Sequence, residues 1–289
     1  MQQNTVALIT TRRIICAALF SGLPLMSGYA AAKEDERPLG PVRVSVTPEV
    51  RSTYISLGKL VEDRPMQITD VHLGYDTDIV GVFGVRNWDV SSLTDRRADA
   101  HRHCLYHTEF GPYWQYDWKV SENVTLKTEF TLSWTLYRGF DDDDANKTYR
   151  WYQLDQSIEN PYVTPFWRVR RSIEGCDFWY YKFGVRRAFA FCGSFYVMPS
   201  VFAEGGNDRY FRRTFGENTE GDGWSEWGVS SVSARLELGW KICSWVTAFA
   251  YVEQYEVIGE DARDTNASST YACAHNDWTY GGIGIRIRF

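Results

Sequence analysis

The sequence predicts an all-β fold, a transmembrane antiparallel up-and-down β-barrel of twelve strands that is closed by its N- and C-terminal strands. Three observations predict it. Apolar and polar residues alternate in many segments, as they do in strands with two different faces. The connections between these segments alternate between short and long. Aromatic residues make up 16% of the chain, with 12 Trp and 18 Tyr, and amphipathic rings are typical of membrane interfaces.

The first residues predict export. A polar segment with Arg12 and Arg13 precedes an apolar run over about 14–26, and small residues follow it, which is the pattern of a secretory signal peptide. The run is shorter than the roughly 20 apolar residues of a spanning helix. We therefore expect a signal peptide at 1–32, a periplasmic N-terminal segment at 33–47 and an outer-membrane barrel at 48–289.

The period-two segments define the predicted strands. The clearest is VTLKTEFTLSWTL at 124–136, and SVSARLELGW, FWYYKFGVRR and EFGPYWQYDW repeat its alternation. No segment of useful length shows the helical period. The twelve predicted strands start near residues 49, 65, 78, 104, 122, 148, 162, 176, 192, 227, 243 and 277.

The connections predict which end of the barrel faces the cell. DTD, VSEN, ENP, AFCGS and KICS are short, whereas most of the connections between them are long and polar. Bacterial outer-membrane barrels have short periplasmic turns and long external loops. An even strand count returns the carboxyl terminus to the periplasm, so we expect a protein of the Gram-negative outer membrane.

The last strand, GGIGIRIRF, is expected to face lipid with its apolar side. It resembles the carboxyl-terminal signal by which bacterial barrels are recognised for assembly, carried here by Ile283, Ile285, Ile287 and Phe289. The alternative is a secreted β-sandwich in which apolar faces pack on each other. Trp and Tyr at the ends of the apolar rows favour the membrane, because such rings suit the headgroup zone.

Four segments carry a resemblance to a known family. RSTYISLGKLVEDRPMQ, WYQLDQSI, TPFWRVRRSIEG and FWYYKFGVRRAF are similar in order and spacing to porin-like outer-membrane barrels of the TorF type. The likeness covers nearly the whole mature chain. One departure is Leu57 before Gly58, where the family more often has Arg. The resemblance implies a pore-like barrel and no defined substrate.

The polar faces predict a charged lumen. A narrow, arginine-lined lumen would pass small solutes by passive diffusion and favour small anions. The alternative is that these charges pair with one another and fill the interior, which gives a non-conducting structural or interaction barrel. The candidate lumen-lining residues are Lys127, Arg168, Arg170, Lys182, Arg186, Arg235, Arg286, Arg288, Glu109, Asp117, Glu129 and Glu237.

The cysteines can be sorted by the predicted topology. Cys192 and Cys243 lie in consecutive short turns and are the expected disulfide, since an exported protein permits one. Cys104, Cys176 and Cys273 fall at the loop end, where two of the three could pair. The alternative is that all five remain free thiols.

Other functions find less support in the sequence. Ser56 and His72 could serve a lipid hydrolase, but their spacing is unspecific, and we predict no enzyme activity. No metal site and no cofactor is predicted, and the Asp run in FDDDDAN is expected to be a solvated loop. A formal net charge of −6 argues against nucleic acid. The expected partners are outer-membrane lipid and lipopolysaccharide, the barrel-assembly machinery and small solutes, and the oligomeric state stays open.

Overall fold

The computed structural model of the chain describes residues 40–57, 59–62, 64–93, 106–138, 148–173, 177–216, 227–259, 262–263 and 276–289. Within these ranges, twelve antiparallel strands close into a ring, and three short strands lie outside it. The predicted fold class is therefore confirmed. The predicted signal peptide lies outside the described residues.

Along the chain, the described residues form the strands and the helix in the following order: β1 (Val42–Arg51), β2 (Tyr54–Ser56), β3 (Lys59–Glu62), β4 (Met66–Asp76), β5 (Val82–Ser92), β6 (Tyr106–Ser121), β7 (Val124–Arg138), β8 (Thr148–Glu159), β9 (Thr164–Ser172), β10 (Trp179–Arg186), β11 (Phe189–Phe191), β12 (Phe195–Asn207), α1 (Asp208–Phe215), β13 (Trp227–Lys241), β14 (Val246–Val257) and β15 (Asp277–Arg288).

The ring runs β1, β4 to β10 and β12 to β15, each strand pairing with its neighbours. It closes where Val46 of β1 lies opposite Ile287 of β15. The short strand β11 extends the hairpin between β10 and β12. Because the twelve strands alternate in direction, the start of β1 and the end of β15 lie at the same end of the barrel. We call this end the short-turn end and the opposite end the long-loop end.

The barrel begins earlier than the sequence predicts. We expected it from residue 48, but β1 starts at Val42 and pairs with β4 from Val42 to Arg51. Pro48 lies within this strand, at a gap in the pairing with β15 between Val46 and Glu49. Proline lacks the N–H that a ladder requires, so it resembles a strand boundary in the sequence.

The outer wall is apolar. Leu238, Val252 and Ile283 are 53%, 48% and 63% exposed, although each lies within a ring strand. Side chains on alternate positions of the same strands point inward and carry the charges described below. An exposed apolar band of this kind suits contact with hydrocarbon.

The hairpin formed by β2 and β3, which we call the plug hairpin, folds into the barrel at the long-loop end. The Tyr54 ring lies 6.1 Å from the Trp88 ring on β5. On the other side, the hydroxyl of Tyr210 in α1 donates to the Leu57 carbonyl at 2.5 Å. Since α1 contacts β10, β12 and β13, which lie across the ring from β5, the hairpin spans the lumen.

The helix α1 was not expected, since no long helical period occurs in the sequence. Asn207 caps its first turn by accepting a hydrogen bond from the backbone N–H of Tyr210 at 3.1 Å. Tyr210, Phe211 and Phe215 are buried. Eight residues are too few for a hydrophobic pattern to stand out. Among the described residues, no helix is long and apolar enough to cross a membrane.

A buried apolar cluster, the mouth cluster, joins α1 to the inner wall toward the long-loop end. Ile55 and Leu57 of the plug hairpin pack against it. Burying each aromatic ring contributes about 1.5–3 kcal/mol, so the cluster holds the helix and the hairpin in place. Its members are Phe178, Tyr180, Tyr210, Phe211, Phe215, Phe249, Tyr251, Tyr255, Val257, Ala262 and Tyr280.

Candidate functional site: two cavities in the lumen

Two cavities lined by described residues lie in the lumen. The larger, of about 1280 Å³, has lining residues from the short-turn end, such as Asp78, Asp117 and Phe289, and we call it the main cavity. The smaller, of about 300 Å³, is lined by residues 54–57 of the plug hairpin, and we call it the hairpin cavity. The two cavities meet at four charged side chains that line both, Asp70, Arg86, Arg168 and Lys182.

Most of the candidate lumen residues from the sequence line one cavity or the other. In the hairpin cavity these are Arg168, Arg170, Lys182, Arg235 and Glu109. In the main cavity they are Lys127, Arg168, Lys182, Arg186, Arg288, Asp117 and Glu129. The remaining two, Arg286 and Glu237, are not part of either lining and bind each other.

Two ion pairs lie where the cavities meet. Arg86 donates from Nε and from a terminal nitrogen to Asp70, both at 2.9 Å. Arg168 binds Asp155 at 2.6 Å. The sequence does not single out Arg86, Asp70 or Asp155, because β4, β5 and β8 each have two faces of similar polarity. The available signal was the alternation of Asp70, His72 and Asp76 in DVHLGYD, which all line the main cavity.

Arg170 is fixed from three sides. Its guanidinium donates to Gln153 at 2.8 Å and binds Glu109 at 3.3 Å. Its Cζ also lies 3.4 Å from the centre of the Trp151 ring. Guanidinium stacking of this kind adds to the ion pair when water is excluded. The side chain is therefore a fixed wall element rather than a mobile charge.

Glu237 on β13 binds two arginines, Arg235 on the same strand and Arg286 on β15. It is 1% exposed and lies 2.7 Å from both Arg286 and Arg235. The hydroxyl of Tyr196 donates to it at 2.9 Å. Tyr196 reaches this position because its ring covers Gly239, where a Cβ would come within 2.0 Å of the ring. A glycine is thus required for the wall to accept this ring.

Two cations of the main cavity are less constrained. Lys127 binds Glu159 at 3.1 Å, but both side chains are about two-fifths exposed, at 40% and 42%. Arg186 lies 5.5 Å from the Phe166 ring, and among the described residues no carboxylate is within ion-pair distance of it. Such cations are available to a solute in the cavity.

The expected disulfide is not formed. Cys192 and Cys243 are free and exposed. Cys192 lies in the turn between β11 and β12, and Cys243 in the turn between β13 and β14, so the turns are about two strand spacings, roughly 10 Å, apart. A disulfide needs Cα atoms within about 7 Å. Cys104, Cys176 and Cys273 lie outside the described residues.

Ser56 and His72 do not form a catalytic pair in this structure. Ser56 belongs to the plug hairpin rather than to a wall strand and lines the hairpin cavity. His72 lines the main cavity and contacts Asp70 at 3.1 Å. Among the described residues, no group of His, Cys, Asp or Glu could hold a metal ion. Asp141–Asp144 lie outside that part of the chain.

Solved structures of outer-membrane proteins are similar to this chain. The COG4313 outer membrane channel from Pseudomonas putida F1 is 11% identical, with a TM-score of 0.50, over 89% of this chain and 98% of that one. A KdgM porin is 10% identical, with a TM-score of 0.41, over 86% and 99%. Outer membrane phospholipase A from Escherichia coli is 14% identical, with a TM-score of 0.42, over 84% and 92%.

No protein-family model and no curated protein matches the chain. The likeness to the Pseudomonas putida channel, at 11% identity, speaks for the fold alone. The chain therefore has the fold of outer-membrane β-barrel proteins. Its resemblance to the TorF type stays a prediction.

Proposed function

We propose that the protein is a narrow outer-membrane channel for small solutes, with the plug hairpin covering its external mouth. The short-turn end would face the periplasm and the long-loop end the exterior, as the connection lengths indicate. Transport would be passive diffusion. Lipid would surround the wall, and the strand with Ile283, Ile285, Ile287 and Phe289 would be read by the assembly machinery.

The observation that carries this proposal is that the two cavities are adjacent. They share the lining side chains Asp70, Arg86, Arg168 and Lys182, which lie between the main cavity and the hairpin cavity. The plug hairpin lines the hairpin cavity. A solute crossing the lumen would have to pass these four side chains and then the hairpin.

The charges around the hairpin cavity favour small anions. Cations outnumber acids there, and fixed arginine and lysine side chains favour negative solutes. Lys182 binds Glu204 at 2.9 Å within the lining. Three of the arginines bind acids that do not line the cavity, so their guanidinium groups face it while the paired carboxylates do not; the pairs are Arg51 with Glu49, Arg168 with Asp155 and Arg235 with Glu237. The lining cations are Arg51, Arg86, Arg168, Arg170, Lys182 and Arg235, and the lining acids are Asp70, Glu109, Glu204 and Glu253.

A second candidate is a barrel that does not conduct and serves as a structural or interaction protein. The mouth cluster and the ion pair of Glu237 and Arg286 favour it, because both occupy part of the lumen. An enzyme has less support, since Ser56 and His72 line different cavities.

Current recording in planar bilayers separates these candidates. The test variant replaces residues 53–64 with a short Gly-Ser linker, and the control makes a similar replacement in the turn at 161–163, outside the lumen. We expect rare, small steps from the wild type and the control, and frequent steps at least severalfold larger from the hairpin variant, with chloride preferred over potassium. Absence of steps from a folded hairpin variant would contradict the channel and support the non-conducting barrel.

A further inference from the structure

The turns at the short-turn end carry exposed apolar side chains, although turns that face water are normally polar. Ile79, Val120 and Tyr162 are 79%, 67% and 73% exposed. All five short turns lie within the described residues, and each has such a side chain in it or next to it. We call this set the turn ring. Its members are Ile79, Val80, Val120, Tyr162, Val163, Phe191, Phe195, Ile242 and Trp245, and none of them lines either cavity.

The turn ring surrounds the mouth of the barrel. The five turns join β4 to β5, β6 to β7, β8 to β9, β10 to β12 and β13 to β14, so consecutive turns are roughly 10 Å apart. Phe289, whose ring lies 5.1 Å from the Trp245 ring, continues the series where β15 meets β1. A soluble partner beside the mouth would contact one side of this series, whereas a bilayer surrounds a barrel on all sides. The arrangement therefore favours lipid.

The turn ring is continuous with the outer wall. The indole N–H of Trp114 donates to the Val80 carbonyl at 2.7 Å, and the Trp114 ring lies 6.5 Å from the exposed Phe83 ring. Phe195 stacks on Trp240 at 5.9 Å between ring centres. Charged side chains at the same end line the main cavity instead, namely Asp78, Asp117 and Lys119. This end is thus apolar outside and charged inside, as the wall is.

The height of the outer apolar band includes these turns. On β14 the first outward polar residue above Val252 is Gln254, which accepts a hydrogen bond from Thr279, and it is nine residues from Trp245. Each residue of a tilted strand advances about 2.5 Å along the barrel axis, which gives roughly 23 Å. On β5, outward Asn87 is eight residues from Ile79, or roughly 20 Å. Because the apolar band of such barrels is about 25 Å tall, the turns fall within it.

We propose that the turn ring lies in the membrane, where its side chains pack among the headgroups and glycerol groups of the phospholipids of the periplasmic leaflet. Tyrosine and tryptophan suit this zone, because one part of the ring is apolar and the other is polar. The barrel is then seated so low that its short turns contact lipid instead of standing in the periplasm. The inference rests on the proposed membrane location and orientation but not on conduction.

Two native thiols can report on this contact. Cys192 and Cys243 are free and exposed, and they lie next to Phe191 and Ile242 of the turn ring. Each would be kept as the single cysteine, with serine at the others, and labelled with a fluorophore in vesicles of phosphatidylethanolamine and phosphatidylglycerol. We expect a lipid with a nitroxide near its glycerol to quench the label severalfold more than iodide in the water does.

The matched control places the label at the long-loop end, in the cysteine-free protein with Asp277→Cys. Asp277 is exposed at the start of β15, and its label should be quenched severalfold more by iodide than by the nitroxide lipid. Iodide quenching at Cys192 and Cys243 as strong as in this control would overturn the proposal. The turns would then stand in water, where a soluble partner could reach them.

Substitution tests the same contact without a label. The test variant is Ile79→Asp, Val120→Asp and Ile242→Asp together. The control, Asn123→Asp, Ser194→Asp and Ser244→Asp, adds the same charge at the same end and keeps the turn ring. At about fivefold for each charge brought into the interface, we expect the test variant to lower the folding equilibrium constant in vesicles about 100-fold relative to the control.

Folding in detergent micelles completes the comparison. A test variant that folds in micelles but not in vesicles would support the proposal, whereas equal folding of test and control variants in vesicles would overturn it. Conductance of the folded test variant should remain that of the wild type, which separates this test from the test of the channel. A wild-type barrel that does not float with vesicles would refute the membrane location as well.

Discussion

The two halves of the lumen are filled by different means. Toward the long-loop end, the plug hairpin and α1 insert aromatic side chains that pack on the wall. Elsewhere the wall fills its own interior with paired charges, such as Glu237 with Arg286, and leaves the main cavity. Loops can enter only from their own end, so filling by an inserted segment is available at the long-loop end, whereas short turns do not reach into the lumen. We expect the aromatic half to move and the charged half to stay rigid.

The largest effect is expected in the charged half. Glu237→Gln keeps the shape of the side chain but leaves Arg286 and Arg235 without their shared carboxylate. Removing one partner of a buried ion pair costs about 3–5 kcal/mol, because the other charge stays buried. Urea unfolding in lipid vesicles would measure the loss. A change below about 1 kcal/mol, the scale of an exposed pair, would show that this wall does not depend on the pair.

A smaller effect is expected in the aromatic half. Burial raises the pKa of the Tyr210 hydroxyl far above its ordinary value, so the group stays protonated and donates to Leu57. Tyr210→Phe removes this bond and the 2.7 Å contact with the Ser230 hydroxyl. The loss of about 1–2 kcal/mol should be local.

Hydrogen exchange can detect such local loosening. We expect the amides of residues 53–57 to exchange about tenfold faster in Tyr210→Phe, while those of β7 and β8 keep the wild-type rate. Equal acceleration in all strands would show that the hairpin and the wall open together. The proposed difference between the two halves would then be lost.

The smallest effect is expected at an exposed pair of the charged half. Lys127→Gln removes the contact with Glu159, where both partners reach water. Such pairs contribute about 0–1 kcal/mol. Comparing its loss of unfolding free energy with that of Glu237→Gln shows whether burial, rather than charge alone, decides how much an ion pair stabilises the barrel. A loss as large as that of Glu237→Gln would contradict this explanation.

The wall could be predicted from the sequence because each strand carries its own signal. Alternation in VTLKTEFTLSWTL defines a face without reference to any neighbour, and twelve such segments defined the ring. The predicted start at residue 48 was several residues too late, because Pro48 looks like a strand boundary while β1 begins at Val42. The two faces of β4 and of β5 differ little in polarity, so the sequence did not indicate that Asp70 and Arg86 line the lumen.

The filling of the lumen could not be predicted, because it depends on what lies across the barrel. The plug hairpin is a short, polar-flanked segment, and its position follows from contacts with Trp88 and Tyr210, which are distant in sequence. The predicted disulfide between Cys192 and Cys243 was wrong for the same reason, since consecutive short turns are two strand spacings apart around the barrel. Which carboxylate each arginine binds is also set by the register between strands.

The plug hairpin joins two neighbouring wall strands, β1 and β4, so it is anchored to the rim at both ends. The hairpin could move out of the lumen, but it would stay covalently attached to the barrel at both ends. Its return would be intramolecular and would need no search by diffusion, as for any short tethered segment. The hairpin would therefore close the mouth repeatedly, and each closure would take place on the timescale of loop motion rather than of domain assembly.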